Sequence, residues 1–380
     1  MAAIQKRKPA PKKQSGRPLK PKGRAQPRPQ DGSIARIGRL SEAVGVSGDE
    51  SAVREIILES LQPTAAETRV DALGNLLVKC RPRGKASLRV MLAAHMDEVG
   101  LILMLAGSDG LWKFGVVGGI NEQTLPGKAL WIGRERVPGV IGVKPVHLVE
   151  KEEAEHPLKP DALAIDVGAT DKNSALALLK PGDRAAFATP FRFERGVLYG
   201  KALDNRLGVA ALIELALDPP AGIELWAAFT SQEEIGLRGA HVAAYALDPD
   251  LAIVLDATPA ADMPMWDGSE NVAYNTKLGG GPAIYIADRA TVSDPRLVRI
   301  LDAAGEAKGI ARQFRQPGSG GTDAGAIHRT RKGIPSVSVS VPIRSPHAPV
   351  SIARIEDWRA TVALVRAALD HLAKAGLRDG

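Results

Sequence analysis

Runs of consecutive apolar residues set the frame of this 380-residue chain. Val90-Met91-Leu92-Ala93-Ala94 leads straight into His95, Ile223–Thr230 into Ser231, and Leu251–Leu255 into Asp256. Short apolar runs bounded by polar residues read as strands. Pro335–Val341 instead alternates valine with serine, the pattern of a half-buried strand. Ser51–Leu61, Val209–Leu217, Pro295–Lys308 and Ile355–Ala375 read as helices. Strand and helix therefore alternate, which implies an α/β fold with a three-layer α/β/α core around a mixed sheet. Between about Leu103 and Pro190 the texture changes. Gly and Val dominate, turn signals are frequent, and the strand-like runs are short: Leu130-Trp131-Ile132, Val140–Val143 and Leu163–Val167. That stretch reads as a small inserted β-domain. The length suits two or three domains. The expected division is a tail over 1–33, a core in two parts over 34–102 and 193–380, and the insert over 103–192.

Charge changes the picture only at one end. The whole chain carries a formal +7, but its first 30 residues hold ten Lys/Arg and no acid. Without them the count is 40 basic against 43 acidic residues, a net −3. The basic character belongs to a Pro/Lys/Arg-rich tail with almost nothing to bury, which is expected to be disordered. It has no aromatic residue for stacking on bases, so any nucleic-acid binding by it is expected to be weak and non-specific. No apolar core follows the basic residues, and six prolines with a single serine suit a mitochondrial presequence poorly. No apolar run is long enough to span a bilayer. Cys80 is the lone cysteine, set among Leu76-Leu77-Val78-Lys79, and reads as a packing residue. Together these point to a cytoplasmic protein.

The chemistry gathers at the ends of the predicted strands. Glu233 and Glu234 are adjacent, so their side chains point in different directions. One carboxylate can bind a metal while the other takes a proton from the water held there. Two consecutive glutamates alone are mostly solvated charge; their company gives them meaning. On an extended strand residues two apart share a face, so His95 and Asp97 project to the same side, and Asp97 is placed to aim the imidazole or contact a metal-bound group. Asp204 stands just before a helix, with two oxygens able to bridge two cations. Asp256 closes an apolar strand, and His347 sits in the loop after Pro335–Val341. The candidate metal ligands are thus His95, Asp204, Glu234, Asp256 and His347. Strand ends of open α/β sheets are where sites form. Nitrogen and carboxylate oxygen without sulfur suit zinc, cobalt or manganese. His328, in Ala326-Ile327-His328-Arg329, reads as helical. His147 and His156, inside the insert, read as structural or surface residues. Asp323, after Gly320-Gly321-Thr322, lines a pocket or simply makes a turn.

Several ordered motifs carry a resemblance to a known family. His95-Met96-Asp97-Glu98-Val99-Gly100, Gly200–Arg206, Gln232–Ala240 and Asp256-Ala257-Thr258-Pro259 resemble the dinuclear-metal glutamyl/leucyl aminopeptidases that assemble as tetrahedral dodecamers. Some members carry the label endoglucanase. Gly139-Val140-Ile141-Gly142, Ile165–Ala169 and Gly320–Ala324 resemble the family too, and the match runs from about Arg36 to the C-terminus. The resemblance implies an aminopeptidase-like core whose barrel-like β-insert makes dimer contacts. It implies two divalent ions per subunit, with His95 and Asp256 on one, Glu234 and His347 on the other, and Asp204 bridging. Catalytic roles fall to Glu233, as general base, and to Asp97, as the support of His95. Peptides are the implied substrates and copies of the same chain the implied partners. One departure stands out: the family sets its last histidine directly before Ser-Pro, whereas here Ser345-Pro346 precedes His347.

Three other functions compete with this reading. A deacylase of small N-acyl metabolites would use the same site. A glycosidase needs two carboxylates flanking the scissile bond, about 5–9.5 Å apart, which adjacent glutamates do not supply. A non-catalytic binding protein built around the basic tail would leave every candidate ligand without a role.

Overall fold

A computed structural model describes residues 32–62, 64–144, 147, 149, 162–265, 267–269, 276–318 and 320–377. Residues 1–31, most of the expected tail, and His156 lie outside the described residues. At the centre is a mixed sheet of 11 strands. Its middle is four parallel strands, in the order Ile223–Thr230, Leu88–His95, Leu251–Pro259 and Ser336–Arg344. Antiparallel strands flank them: Leu76–Cys80 and Ala65–Val70 on one side, Ser351–Arg354, Val197–Gly200 and Arg192–Glu194 on the other.

Strand alternation sorts the side chains into two layers. Val90, Leu92, Ala94, Leu225, Phe229, Ile253, Leu255, Val337 and Val339 pack on one face. That face is covered by helices Gly32–Glu42, Ser51–Leu61, Leu203–Leu217, Pro295–Lys308 and Ile355–Ala375. Met91, Ala93, Trp226, Ala228, Ala252 and Val254 pack on the other, under helices Arg238–Leu247 and Ala324–Ile327. The three-layer core is therefore present. Leu92 is fully buried at its centre, so Leu92→Ala should cost about 2–5 kcal/mol. Urea unfolding measures it, and a loss below about 0.5 kcal/mol would contradict this assignment of the core.

Local chemistry explains the element ends. Helix Pro295–Lys308 starts with Pro295 in its first turn behind Asp294, whose carboxylate accepts from Arg296 N–H. It stops at Gly309 in a left-handed conformation. Two expectations need correcting. Ser336–Arg344 is buried on both faces rather than half-buried, because its serines are covered by other segments: Ser338 Oγ lies 2.7 Å from Thr322 Oγ1 in the loop before Ala324, and Ser340 meets Tyr285. Asp256 is inside its strand, which runs on to Pro259. Its pairing with Leu88–His95 ends at Val254, while pairing with Ser336–Arg344 continues. The two central strands part there, and the gap opens beside Asp256.

A closed barrel of six antiparallel strands leaves the core at this same edge: Gly100–Ala106, Trp112–Val117, Ile165–Asp166, Val137–Ile141, Ala129–Ile132 and Arg184–Phe187. Its own core surrounds the fully buried Trp112. Where the chain crosses into it, Glu98 is buried between Lys201 Nζ (2.7 Å) and Arg206 Nη2 (3.0 Å). Glu98 also accepts from Gly45 N–H. No described helix is long and apolar enough to cross a membrane.

Candidate metal centre

Each candidate residue arrives by a different route to the same edge of the sheet. His95 ends its strand level with Thr230. Asp256 shares the face of Ala252 and Val254. Asp204 lies at a break in helix Leu203–Leu217: Asp204 and Asn205 have non-helical backbones, joined by a cis peptide. The helix expected from Val209 thus starts earlier but is interrupted. Asn205 pins the break, donating from Nδ2 to Leu255 O at 2.8 Å and accepting from Gly208 N–H at 3.0 Å. A Cβ on Gly208 would stand 2.2 Å from the Asn205 oxygen, so only glycine permits this anchor.

All five candidate ligands converge. His95 Nε2 lies 3.4 Å from Asp204 Oδ1 and 3.5 Å from Asp256 Oδ1. His347 Nε2 lies 3.6 Å from Asp204 Oδ2 and 3.2 Å from Glu234 Oε2. The two oxygens of Asp204 thus face two different histidines, each with its own second carboxylate. Ligand atoms of His95, Asp204 and Glu234 lie within 4.8 Å of one another, and so do those of His95, Glu233 and Asp256. His328 does not join them: it caps the short helix Ala324–Ile327, with Nδ1 on Ala324 O at 2.8 Å. His147 is exposed.

The histidines are aimed from behind. His95 Nδ1 faces the Asp97 carbonyl at 3.2 Å, and His347 Nδ1 faces the Gly119 carbonyl at 3.0 Å. A carbonyl only accepts, so each Nδ1 carries a proton, and each Nε2 points inward, where it can offer a lone pair once its own proton is lost. The extended-strand argument for Asp97 therefore needs revision. The strand ends at His95, and Asp97 reaches the ring through its backbone, with its carboxylate 3.5 Å away. That carboxylate accepts instead from Ser47 Oγ (2.6 Å) and from the N–H groups of Glu233 (3.0 Å) and Glu234 (3.1 Å). Burial alone would push Asp97 upward; the His95 ring, Ser47 and these donors hold it below the ordinary carboxylate range.

The electrostatics are those of a site crowded with acid. Removal from water pushes Glu233 well above the ordinary range against the pull of His95, and the charges of Glu234 and Asp256 add to the rise. Burial likewise raises Glu234 and Asp256, and the charge of Asp204 adds to both. Burial would depress the His95 imidazolium, but Glu233, Asp204, Asp256 and Asp97 outweigh it. His347 is carried up to about 9, Glu234 and Asp204 overcoming the effect of burial. Glu234 Oε1 is buried without a hydrogen-bond partner. An inward nitrogen from each histidine, an orphaned carboxylate oxygen and a surplus of acid form a donor set fit for divalent cations. Asp323 is not in the pocket wall. It is buried behind it, its carboxylate on Thr230 Oγ1, and removal from water lifts it to about 7.

A cavity of about 960 Å³ opens over the cluster. Gly119, Asn121 and Thr124 line it from the barrel side, and Tyr285, Arg289, Arg315, Arg329 and the Gly320-Gly321 pair from the core. Arg315 stacks over the Tyr285 ring at 4.5 Å. The supports supplied by Ser47, Asn205 and the Gly119 carbonyl were not anticipated. Asn205 had a signal, lying beside Asp204 in a recognised motif; Ser47 and Gly119 lie far from any.

The chain is similar to known proteins in both sequence and fold. The family model for M42 glutamyl aminopeptidase matches residues 74–364. A putative aminopeptidase of Acetivibrio thermocellus is 36% identical over 330 residues, covering 87% of this chain and 96% of its own. The crystal structure of a TET aminopeptidase from a marine-sediment Thaumarchaeota archaeon has a TM-score of 0.85 at 32% identity, covering 91% of this chain and 99% of that one. The TET1 peptidase of Pyrococcus horikoshii, described as able to assemble into a tetrahedron or a large octahedral shell, has a TM-score of 0.78 at 32% identity, covering 88% of this chain and 98% of that one. The chain belongs to the M42 glutamyl aminopeptidase family and is a hydrolase acting on peptides.

Proposed function

We propose that this protein is a two-metal aminopeptidase that releases the first residue of peptides. The observation that carries the reading is the division of Asp204: one oxygen toward His95 and Asp256, the other toward His347 and Glu234. Bound there, two divalent cations (zinc, cobalt or manganese) would acidify a water and polarise the scissile carbonyl. His95 and Asp256 would hold one cation and His347 and Glu234 the other, with Asp204 offering an oxygen to each. Glu233 takes the proton of the attacking water and delivers it to the leaving amine. Asp97 holds the His95 ring and, through the amides of Glu233 and Glu234, the turn carrying both acids. In the metal-free site Glu233 is pushed up by burial and acidic neighbours; added positive charge brings it back toward the ionised form a base requires. Self-assembly into a closed shell follows from likeness to TET peptidases, a cytoplasmic setting from the sequence, and a domain division near residues 33, 102 and 192 from its texture.

The cavity wall suggests which first residue is preferred. The candidate acids lie at one end of the wall, and the rest of it, which includes Leu237, Pro259, Tyr285 and Pro346, carries three cationic residues, Arg289, Arg315 and Arg329. Glutamyl p-nitroanilide should be cleaved with a kcat/KM about 10–100-fold above the glutaminyl compound. Equal rates on the two would remove the preference but not the peptidase. The test of the peptidase itself is a metal-reconstituted preparation assayed on aminoacyl anilides and N-acyl amino acids. Hydrolysis confined to the N-acyl compounds would reject it in favour of a deacylase.

A further inference from the structure

Between strand Ile223–Thr230 and helix Arg238–Leu247 four successive amides point away from any helix or strand partner. Each donates to a side chain from elsewhere in the sequence. Ser231 N–H donates to Asn75 Oδ1 (2.9 Å), Gln232 N–H to Glu50 Oε1 (3.2 Å), Glu233 N–H to Asp97 Oδ1 (3.0 Å), and Glu234 N–H to Asp97 Oδ2 (3.1 Å). A row of N–H groups in such a turn is a concavity that favours anionic oxygen; here two carboxylates and one amide of the protein itself occupy it.

Two of the three acceptors have no part in the chemistry above, and both are buried: Glu50 is 3% and Asn75 0% exposed. Glu50 has no cationic partner within salt-bridge distance among the described residues, although a buried carboxylate is costly without compensation. Its Oε1 instead accepts from Gly48 N–H at 2.7 Å and from Gln232 N–H. Asn75 also donates to Gly239 O at 3.0 Å and to Asp71 Oδ2 at 2.7 Å. It approaches so closely that a Cβ on Gly239 would stand 2.2 Å from its oxygen. Gln232 has φ +56°, a conformation that a non-glycine residue holds only when its surroundings over-determine it.

We propose that Glu50 and Asn75 are positioning residues for Glu233, locking the turn from which the base and its neighbour Glu234 project. This rests on the assignment of Glu233 as the base. With one clamp removed, the left-handed Gln232 relaxes and carries the base away from the water, and a misplacement of about 1 Å costs on the order of 10²-fold in rate.

The test separates reach from charge, in full-length protein reconstituted with cobalt and assayed on glutamyl and leucyl p-nitroanilide. Glu50→Gln keeps the acceptor oxygen and loses the charge; Glu50→Asp keeps the charge and withdraws the oxygen from Gln232 N–H. Glu50→Gln should stay within about threefold of the parent, whereas Glu50→Asp and Glu50→Ala should lose about 10–100-fold in kcat, with KM little changed and the metal retained. If Glu50→Ala fails to fold, the Gln and Asp pair decides alone. An active Glu50→Asp beside an impaired Glu50→Gln, or a series with unchanged kcat, overturns the proposal. Glu233→Gln in the same assay keeps the two readings apart: turnover there removes the base and the positioning role with it, whereas a silent Glu233→Gln beside an unchanged Glu50 series removes the positioning role alone.

Discussion

Glu233→Gln should leave the protein folded and able to take up metal while lowering kcat by about 10²–10⁴-fold, the range expected for loss of a general base. The change is nearly isosteric. The backbone N–H of Glu233 stays on Asp97, so the turn is kept and only the proton acceptor is lost. None of the five candidate ligands is altered. Single-turnover rates on an aminoacyl anilide, with metal content measured on the same sample, check both halves of the statement. If kcat stays within about tenfold of the parent, Glu233 is not the base. If metal is lost as well, Glu233 has a share in the donor set, which its closeness to His95 and Asp256 would explain.

Removal of metal should abolish turnover and make stability depend on pH in a specific direction. His347 is raised to about 9 in the metal-free site by Glu234 and Asp204, overcoming burial. An unfolded histidine titrates near 6.5, so the folded state binds this proton more tightly. The stabilisation is fully present below about pH 6.5 and is lost as pH rises through about 9. Melting temperatures of the chelated protein should therefore fall between pH 6.5 and 9.5. Ligation needs the neutral imidazole, so metal uptake must expel the proton, and apparent affinity should rise up to about tenfold per pH unit below 9. Calorimetric titration in two buffers of different ionisation enthalpy would register the released proton. A flat affinity from pH 6 to 9 would contradict the pairing of His347 with Glu234. Metal at a thousandfold excess over its Kd should add about 4 kcal/mol of stability.

The sequence made the central strands and the residues at their ends readable, since apolar runs and terminal polar residues are local signals. It also showed the change of texture toward the barrel. Less visible was whatever depends on the partner of a segment. Valine and serine alternating in Pro335–Val341 look half-buried until distant segments cover the serines, the loop before Ala324 over Ser338 and Tyr285 over Ser340. Asp256 looks terminal because the apolar run stops, yet pairing with Ser336–Arg344 carries the strand on to Pro259. The face-sharing rule that ties Asp97 to His95 fails once the strand ends; the carbonyl contact and the grip on the Glu233 and Glu234 amides are tertiary. Glu50, Asn75 and Ser47 had no motif to mark them, because their partners lie at sequence separations of 50 or more.

His347 takes its orientation from Gly119, the carbonyl just beyond the barrel strand Trp112–Val117. If His347 and Glu234 hold a cation as proposed, that half of the site would be unfinished in any partially folded chain whose sheet has formed before its barrel has docked. Such a chain would lack the carbonyl that aims His347, and the cluster of inward-facing nitrogens would be complete only with the final closure of the fold.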